Sequence, residues 1–230
     1  MKNNKFVVII FASLILCLGC KKINFNLFGG DEYDKMASEL IYDGMENYKA
    51  GDYKDALENF QKLQDMYPFN KYAILAELKE ADSYYQLGKY NDAVMVYEEF
   101  ETLHPQNDVI PYVAYQQGLC YFEQIKTPDR EQTSSYKAIE VFERVKADYP
   151  NTEYAKKADK MMMQCLKSIA AHELYVGKFY FKAKDYKAAL SRLKRVVMKF
   201  PDMGTHHEAM QYITESENQL KNKDNKKEQK

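Results

Sequence analysis

A spacing that recurs four times constrains this chain more than any other feature of it. Counting from Ala81, Tyr84 lies three residues on, Ala93 twelve, Tyr97 sixteen and Pro105 twenty-four. From Gly44, Ala56, Phe60 and Pro68 fall at the same twelve, sixteen and twenty-four. From Gly177, Tyr180 falls at three and Ala189, Leu193 and Pro201 at twelve, sixteen and twenty-four. A further copy opens at Gly118 with Tyr121, but its Ala138, Phe142 and Pro150 arrive eight residues late, so it carries an insertion across Lys126 to Ser134. Ala209 and Tyr212 open a fifth copy that lacks its second half. Four coincident registers require one structural unit used repeatedly.

With only 9 Gly and 6 Pro in 230 residues, and Ala, Leu, Lys, Glu and Tyr plentiful, that unit is helical. The spacing resembles the tetratricopeptide repeat, a pair of antiparallel helices. The small residue and the Ala stand where the two helices of a unit approach closest, and the aromatic fills the gap to the next unit. The Pro ends the second helix, because it lacks a hydrogen-bond donor and disfavours helix in the residue before it. Gly51-Asp52 and Gly88 fall between the helices of their units. The pattern predicts helix pairs over 34–50 with 53–66, 71–87 with 90–103, 110–125 with 135–148 and 153–183 with 186–199, then a last helix over 205–220. The expected fold is all-α, a tetratricopeptide-repeat superhelix of about four and a half helix pairs. The span 153–183, without Pro, is either one helix of ~46 Å or two with a break near Ile169–His172. The polar insertion at 126–134 is expected as a surface loop, either an interaction site or a tolerated insertion with some local order.

The first residues are of another kind. Lys2 and Lys5 give a positive start and Phe6 to Leu18 is almost wholly apolar, too short for a ~20-residue membrane span. Residues 1–19 have the proportions of a secretory signal peptide. They end Leu16-Cys17-Leu18-Gly19-Cys20, which resembles the lipobox of bacterial lipoproteins, with Cys17 where Leu is usual. That resemblance implies acylation of Cys20 and a membrane anchor, and Lys21, not being Asp, leans towards the outer membrane. Residues 20–33 are then the lipidated Cys and a tether, 34–220 the repeat domain, and 221–230, which hold no apolar side chain, a disordered tail. After removal of 1–19 the chain carries 31 basic and 34 acidic residues, so no basic field argues for nucleic acid. Cys120 and Cys165 remain, either as small buried apolar residues or, in an oxidising compartment, as a disulfide.

Chemistry needs convergent groups, and the sequence supplies none. His104 precedes a Pro, His206 and His207 are adjacent and diverge on a helix, and His172-Glu173 lacks the second His of a zinc-protease motif. Nucleophile elbows and phosphate-binding Gly-rich loops are missing. No catalysis, metal or cofactor is expected. Met161-Met162-Met163 reads as partly core, since it lies between Ala158 and Cys165 at helical spacing. The 20 Tyr are more informative. In helical-pair solenoids the first helices line a groove suited to peptides, and Tyr offers both a ring and a hydroxyl there. Tyr48, Tyr84, Tyr85, Tyr115 and Tyr121 are groove candidates, with about half of them assigned to packing instead.

Particular strings resemble the BamD family of outer-membrane lipoproteins. They are Tyr67-Pro68-Phe69, His104-Pro105, Tyr112-Val113-Ala114-Tyr115-Gln116-Gln117-Gly118-Leu119, Asp129-Arg130, and Tyr149-Pro150-Asn151-Thr152-Glu153-Tyr154. Ala171-His172-Glu173-Leu174-Tyr175-Val176-Gly177-Lys178-Phe179-Tyr180 follows, then Ala188-Ala189-Leu190-Ser191-Arg192 and Pro201-Asp202. The resemblance implies an outer-membrane lipoprotein on the periplasmic face that helps assemble β-barrel proteins. Its C-terminal half would dock to the periplasmic domains of the barrel protein BamA, with Arg192 in contact, and its first units would receive unfolded outer-membrane proteins. The truncated fifth copy departs from the family pattern and puts any partner of a complete fifth unit in doubt. The competing expectation is a periplasmic tetratricopeptide lipoprotein adaptor that recruits cell-wall hydrolases.

Overall fold

Each repeat folds as a helical hairpin whose turns fall where the register requires. A computed structural model describes residues 30–201 and 203–228, and nine helices follow one another along them. They are α1 (Gly30–Ala50), α2 (Tyr53–Met66), α3 (Ala73–Gln86), α4 (Tyr90–Leu103) and α5 (Ile110–Phe122). After these come α6 (Thr133–Asp148), α7 (Glu153–Lys182), α8 (Tyr186–Lys199) and α9 (His206–Glu228). Every helix packs on the next, while α5 also touches α7 and α7 touches α9, so the first helices of successive units form one row. The signal peptide at 1–19, Cys20 and the tether up to Gly29 lie outside the described residues.

Steric demand explains the register. A Cβ added to Gly44 would come within 2.6 Å of the Phe60 ring, and one added to Gly177 within 2.7 Å of Leu193. Gly118 stands as closely against Phe142. The bulky residue sixteen on thus lies over the small residue of its own unit. It also faces the next unit, as the sequence suggested: Phe60 and Phe142 share their clusters with the following first helix, and Gln116 of α5 reaches Tyr97 OH. Ala73 and Ala76 of α3 close the cluster of Ile41, Phe60 and Leu63, and Ala158 and Cys165 of α7 close that of Ala138, Phe142 and Val145. The core is therefore a chain of small cores, each completed by the following first helix.

The second helices end alike. Tyr67, His104, Tyr149 and Phe200 precede Pro and take φ between −135° and −126° with ψ near 50°. Each still donates its N–H to a carbonyl four residues back, the last bond available before the ring blocks the ladder. At the hairpin turns Gly51 and Gly88 adopt φ of 88° and 70°, and the same place in the fourth unit is held by Lys184 at 61°.

Two boundaries differ from expectation, and one open alternative is decided. Helix α1 starts at Gly30, so its first turn, with Asp31 and Glu32, occupies residues assigned to the tether. Helix α9 continues to Glu228, so 221–228 is helix and not a disordered tail. Lys, Gln and Glu are good helix formers, and a helix already nucleated by the buried Ala209 and Ile213 propagates at little cost. Lys223 Nζ also lies 4.8 Å from the Tyr186 ring centroid on α8, which ties the extension to the fourth unit. The span 153–183 is one 30-residue helix, α7, with no break at Ile169–His172.

Candidate protein-interaction surfaces

Two buried carboxylates organise the polar chemistry of the row of first helices. Asp82 of α3 is 1% exposed. Its Oδ1 accepts from Tyr97 OH at 2.6 Å and Tyr112 OH at 2.7 Å, and its Oδ2 from Lys79 Nζ at 2.6 Å. Lys79 Nζ lies 4.9 Å from the Tyr48 ring centroid, and Gln116 donates to Tyr112 OH at 3.0 Å. Tyr112 then meets Tyr154 edge-on at 5.8 Å, and Tyr154 meets Tyr115 at the same separation. Tyr48, Lys79, Tyr112, Tyr115 and Tyr154 therefore form a continuous aromatic and cationic row across α1, α3, α5 and α7. Burial, with Asp82 adding to it, pushes the Tyr48 phenol up to about 12. Burial and Asp82 likewise raise Tyr97 and Tyr112, so these hydroxyls stay protonated donors.

Glu173 of α7 is 3% exposed and sits under α8. Arg192 Nη1 reaches its Oε2 at 3.2 Å, and Arg195 Nη2 its Oε1 at 3.1 Å. Two guanidinium groups share one carboxylate, which leaves an excess positive charge on the surface. Arg192 is not the solvated surface side chain its helix position suggests. It is 37% exposed and held from below, so Arg192→Glu would set a second carboxylate against a buried one and disturb the fold.

The five groove tyrosines do not share a surface. Tyr48 and Tyr115 belong to the row just described. Tyr84 faces α2, where Gln61 donates to its hydroxyl at 2.9 Å. Tyr85 points to Glu123 and packs edge-on against Tyr90 at 5.5 Å. Tyr121 lines a different cavity, of about 560 Å³, with Glu98, Glu101, Gln117, Glu140 and Arg144. Sequence reasoning missed Lys79, Asp82, Tyr112 and Tyr154 as a group, although Tyr112 and Tyr154 stand in the family-like strings. It also missed Gln132, whose amide donates to the Thr127 and Arg130 carbonyls while its oxygen accepts from Ser135 and Ser168. The insertion is thereby pinned to α7, with His172 Nδ1 2.8 Å from the Pro128 carbonyl.

A net charge of −1 conceals a strong asymmetry. Residues 30–103 hold 17 acidic and 7 basic side chains, a net of −10, whereas residues 104–230 hold 17 acidic and 22 basic, a net of +5. Cys120 and Cys165 are both free and buried, and burial pushes their thiols up to about 12 and about 11, away from reactivity. Among the described residues no group of three or more His, Cys, Asp or Glu is placed to hold a metal, and no helix is long and apolar enough to cross a membrane.

The chain is similar to known proteins in fold and in sequence. The tetratricopeptide region of yeast Sti1 in complex with an Hsp90 peptide superposes with a TM-score of 0.51 at 17% identity, over 81% of this chain and 71% of that one, which fixes the fold. The outer membrane protein assembly factor BamD of Caulobacter vibrioides is 27% identical over 80% of this chain and 61% of its own length. That of Rickettsia prowazekii is 28% identical over 71% and 65%. The chain thus spans less than two thirds of either relative. The Vibrio cholerae BamD, 24% identical, is matched over 81% of this chain and 82% of its own length. A family described as outer membrane lipoprotein, YfiO, matches residues 33–230, nearly the whole of the helical array, and to that family this chain belongs.

Proposed function

We propose that this protein is an outer-membrane protein assembly factor, a scaffold anchored through acylated Cys20 and facing the periplasm. The family match over 33–230, with relatives named as such factors, carries the reading. The fourth unit meets the periplasmic domains of BamA. There Arg192 offers its guanidinium fork to a partner carboxylate, since Glu173 engages only one of its nitrogens. The row of Tyr48, Lys79, Tyr112, Tyr115 and Tyr154 receives extended segments of unfolded outer-membrane proteins, stacking on their side chains and donating to their carbonyls. No step breaks or forms a covalent bond.

Affinity capture from detergent-solubilised membranes tests the reading. BamA in the eluate supports it, whereas cell-wall hydrolases without BamA would make the protein a recruiting adaptor. Arg192→Gln is the sharper probe, because Arg195 keeps Glu173 paired and the fold intact. It is expected to lower affinity for the BamA periplasmic region roughly thirtyfold, the ~2 kcal/mol at the low end of what truncating one member of an interfacial charge pair costs. Unchanged affinity in a folded variant removes Arg192 from the interface.

A further inference from the structure

The first unit exposes a phenylalanine on its closing turn, a rim where the later units carry polar residues. The residue after the Pro that closes a unit is Gln106, Asn151 or Asp202 in the later three, but Phe69 in the first. Phe69 is 96% exposed; Met66, three residues before it, is exposed at 61%, and Met36, which meets Tyr67, at 45%. The rim is built on the start of α1: the Tyr67 ring stacks edge-on to Tyr33 at 4.7 Å, and Tyr67 OH lies 3.2 Å from Met36 Sδ. Asn70 also donates to Asp34 at 2.8 Å. A side chain as large as Phe on a solvated turn, in a register that elsewhere chooses polar residues, marks a surface meant to be covered.

We infer that the chain's own segment Ile23–Phe28 folds back to cover this rim. Three features select that occupant. Only Gly29 separates the segment from α1, and its six residues span ~20 Å when extended, enough to cross the first two turns of α1 to the 67–70 turn. Ile23, Phe25 and Leu27 alternate with Asn24 and Asn26, so an extended segment presents one apolar face and one polar face. Lys21 and Lys22 precede it, and the first turns of α1 carry Asp31, Glu32 and Asp34 within a half whose net charge is −10. That charge opposes the other ready occupant, an anionic lipid surface. Tethering makes the contact intramolecular, so even a weak one is well populated. The covered rim turns a loose leash between Cys20 and Gly30 into a fixed mount, with Lys21 and Lys22 alone spanning to the lipid. The inference stands whether or not BamA is the partner.

A single tryptophan reads it out, since the native sequence has none. The chain from residue 20 onward, with Cys20→Ser and Phe69→Trp, is expected to show short-wavelength emission shielded from iodide. Adding Ile23→Ser, Phe25→Ser and Leu27→Ser, all before the described residues, should shift emission to the red and restore quenching, with circular dichroism unchanged. Emission characteristic of an exposed indole in both proteins overturns the proposal. So does a blue shift that appears in both only on addition of phosphatidylglycerol vesicles, which would give the rim to lipid. With Phe69 intact, amide exchange over 23–28 should be slowed roughly tenfold relative to Phe69→Ser, and equal exchange likewise overturns it.

Discussion

The second and fourth units each bury a carboxylate under the row of first helices, and each satisfies it differently. Asp82 is met by two phenols and one lysine, so its charge is matched and the surface above it is aromatic. Glu173 is met by two arginines, so its charge is exceeded and the surface above it is cationic. The same hairpin therefore presents a ring-lined face in the acidic half and a guanidinium face in the basic half. The difference lies in the partners: Asp82 takes its cation, Lys79, from its own helix and phenols from α4 and α5, whereas Glu173 takes both its cations from α8.

The contrast is easiest to break at its most buried point. Asp82→Ala strands Tyr97, Tyr112 and Lys79, and Tyr97 is wholly buried. Unmet donors of this kind should cost ~3 kcal/mol, lowering the melting temperature by about 6–12 °C for a domain of this size. Glu173→Ala should cost less, ~2 kcal/mol, because both freed guanidinium groups are more than a third exposed and rehydrate. Urea titrations of the two variants rank them directly. A larger loss for Glu173→Ala would invert the distinction drawn between the halves.

At the seam between the halves, Arg144 of α6 and Gln117 of α5 hold Glu101 of α4. Burial works against the Glu101 carboxylate, but the hydrogen bonds from Arg144 and Gln117 outweigh it, so its pKa is lowered. Its stabilising contribution is complete above the unfolded carboxylate range and is lost as pH falls through the lower folded value. Arg144→Gln should therefore flatten the acid limb of a stability–pH curve, measured by urea midpoint at successive pH values. Parallel acid limbs for the two proteins would dismiss the seam as a pH-dependent element. The smallest effect is expected at the fourth hairpin turn. Lys184→Gly removes a left-handed lysine where Gly51 and Gly88 serve the first two units, and should stabilise by about 0.5–1 kcal/mol.

What the sequence revealed and what it concealed follow from the distance over which each constraint acts. Gly44 and Gly177 are legible because each meets its ring or Leu sixteen residues on, at a spacing that repeats, and Gly118 because its Phe142 keeps that place once the eight-residue insertion is counted. The pre-Pro helix ends are legible because the cause is one residue away. Glu173 with Arg192 and Arg195 is not, since the pairing depends on how α7 and α8 are rotated about their axes. Lys79 over Tyr48 crosses between units and leaves no periodic trace. Gln132 sits in a polar insertion whose composition reads as solvent-facing, although its amide satisfies carbonyls in the loop and its oxygen takes a hydroxyl from α7. The helix beyond residue 220 was missed for the opposite reason: it lacks the apolar periodicity by which helices are recognised and persists through propensity and continuity.

The unbroken α7 has a mechanical consequence. Its first half shares a core with α5 and α6, through Ala158 and Cys165, and its second half shares another with α8 and α9, through Leu174. Short turns join the earlier units, so bending can be absorbed there. The third and fourth units are also joined by a short turn, at 149–152, but α7 itself runs through both cores: a strut of ~45 Å spans the joint, and a hinge within it would have to break backbone hydrogen bonds along its middle. A load applied at Arg192 therefore has a continuous helical path to the 126–132 loop pinned at Ser168 and His172, so docking at one end of α7 and the loop at its middle are mechanically joined.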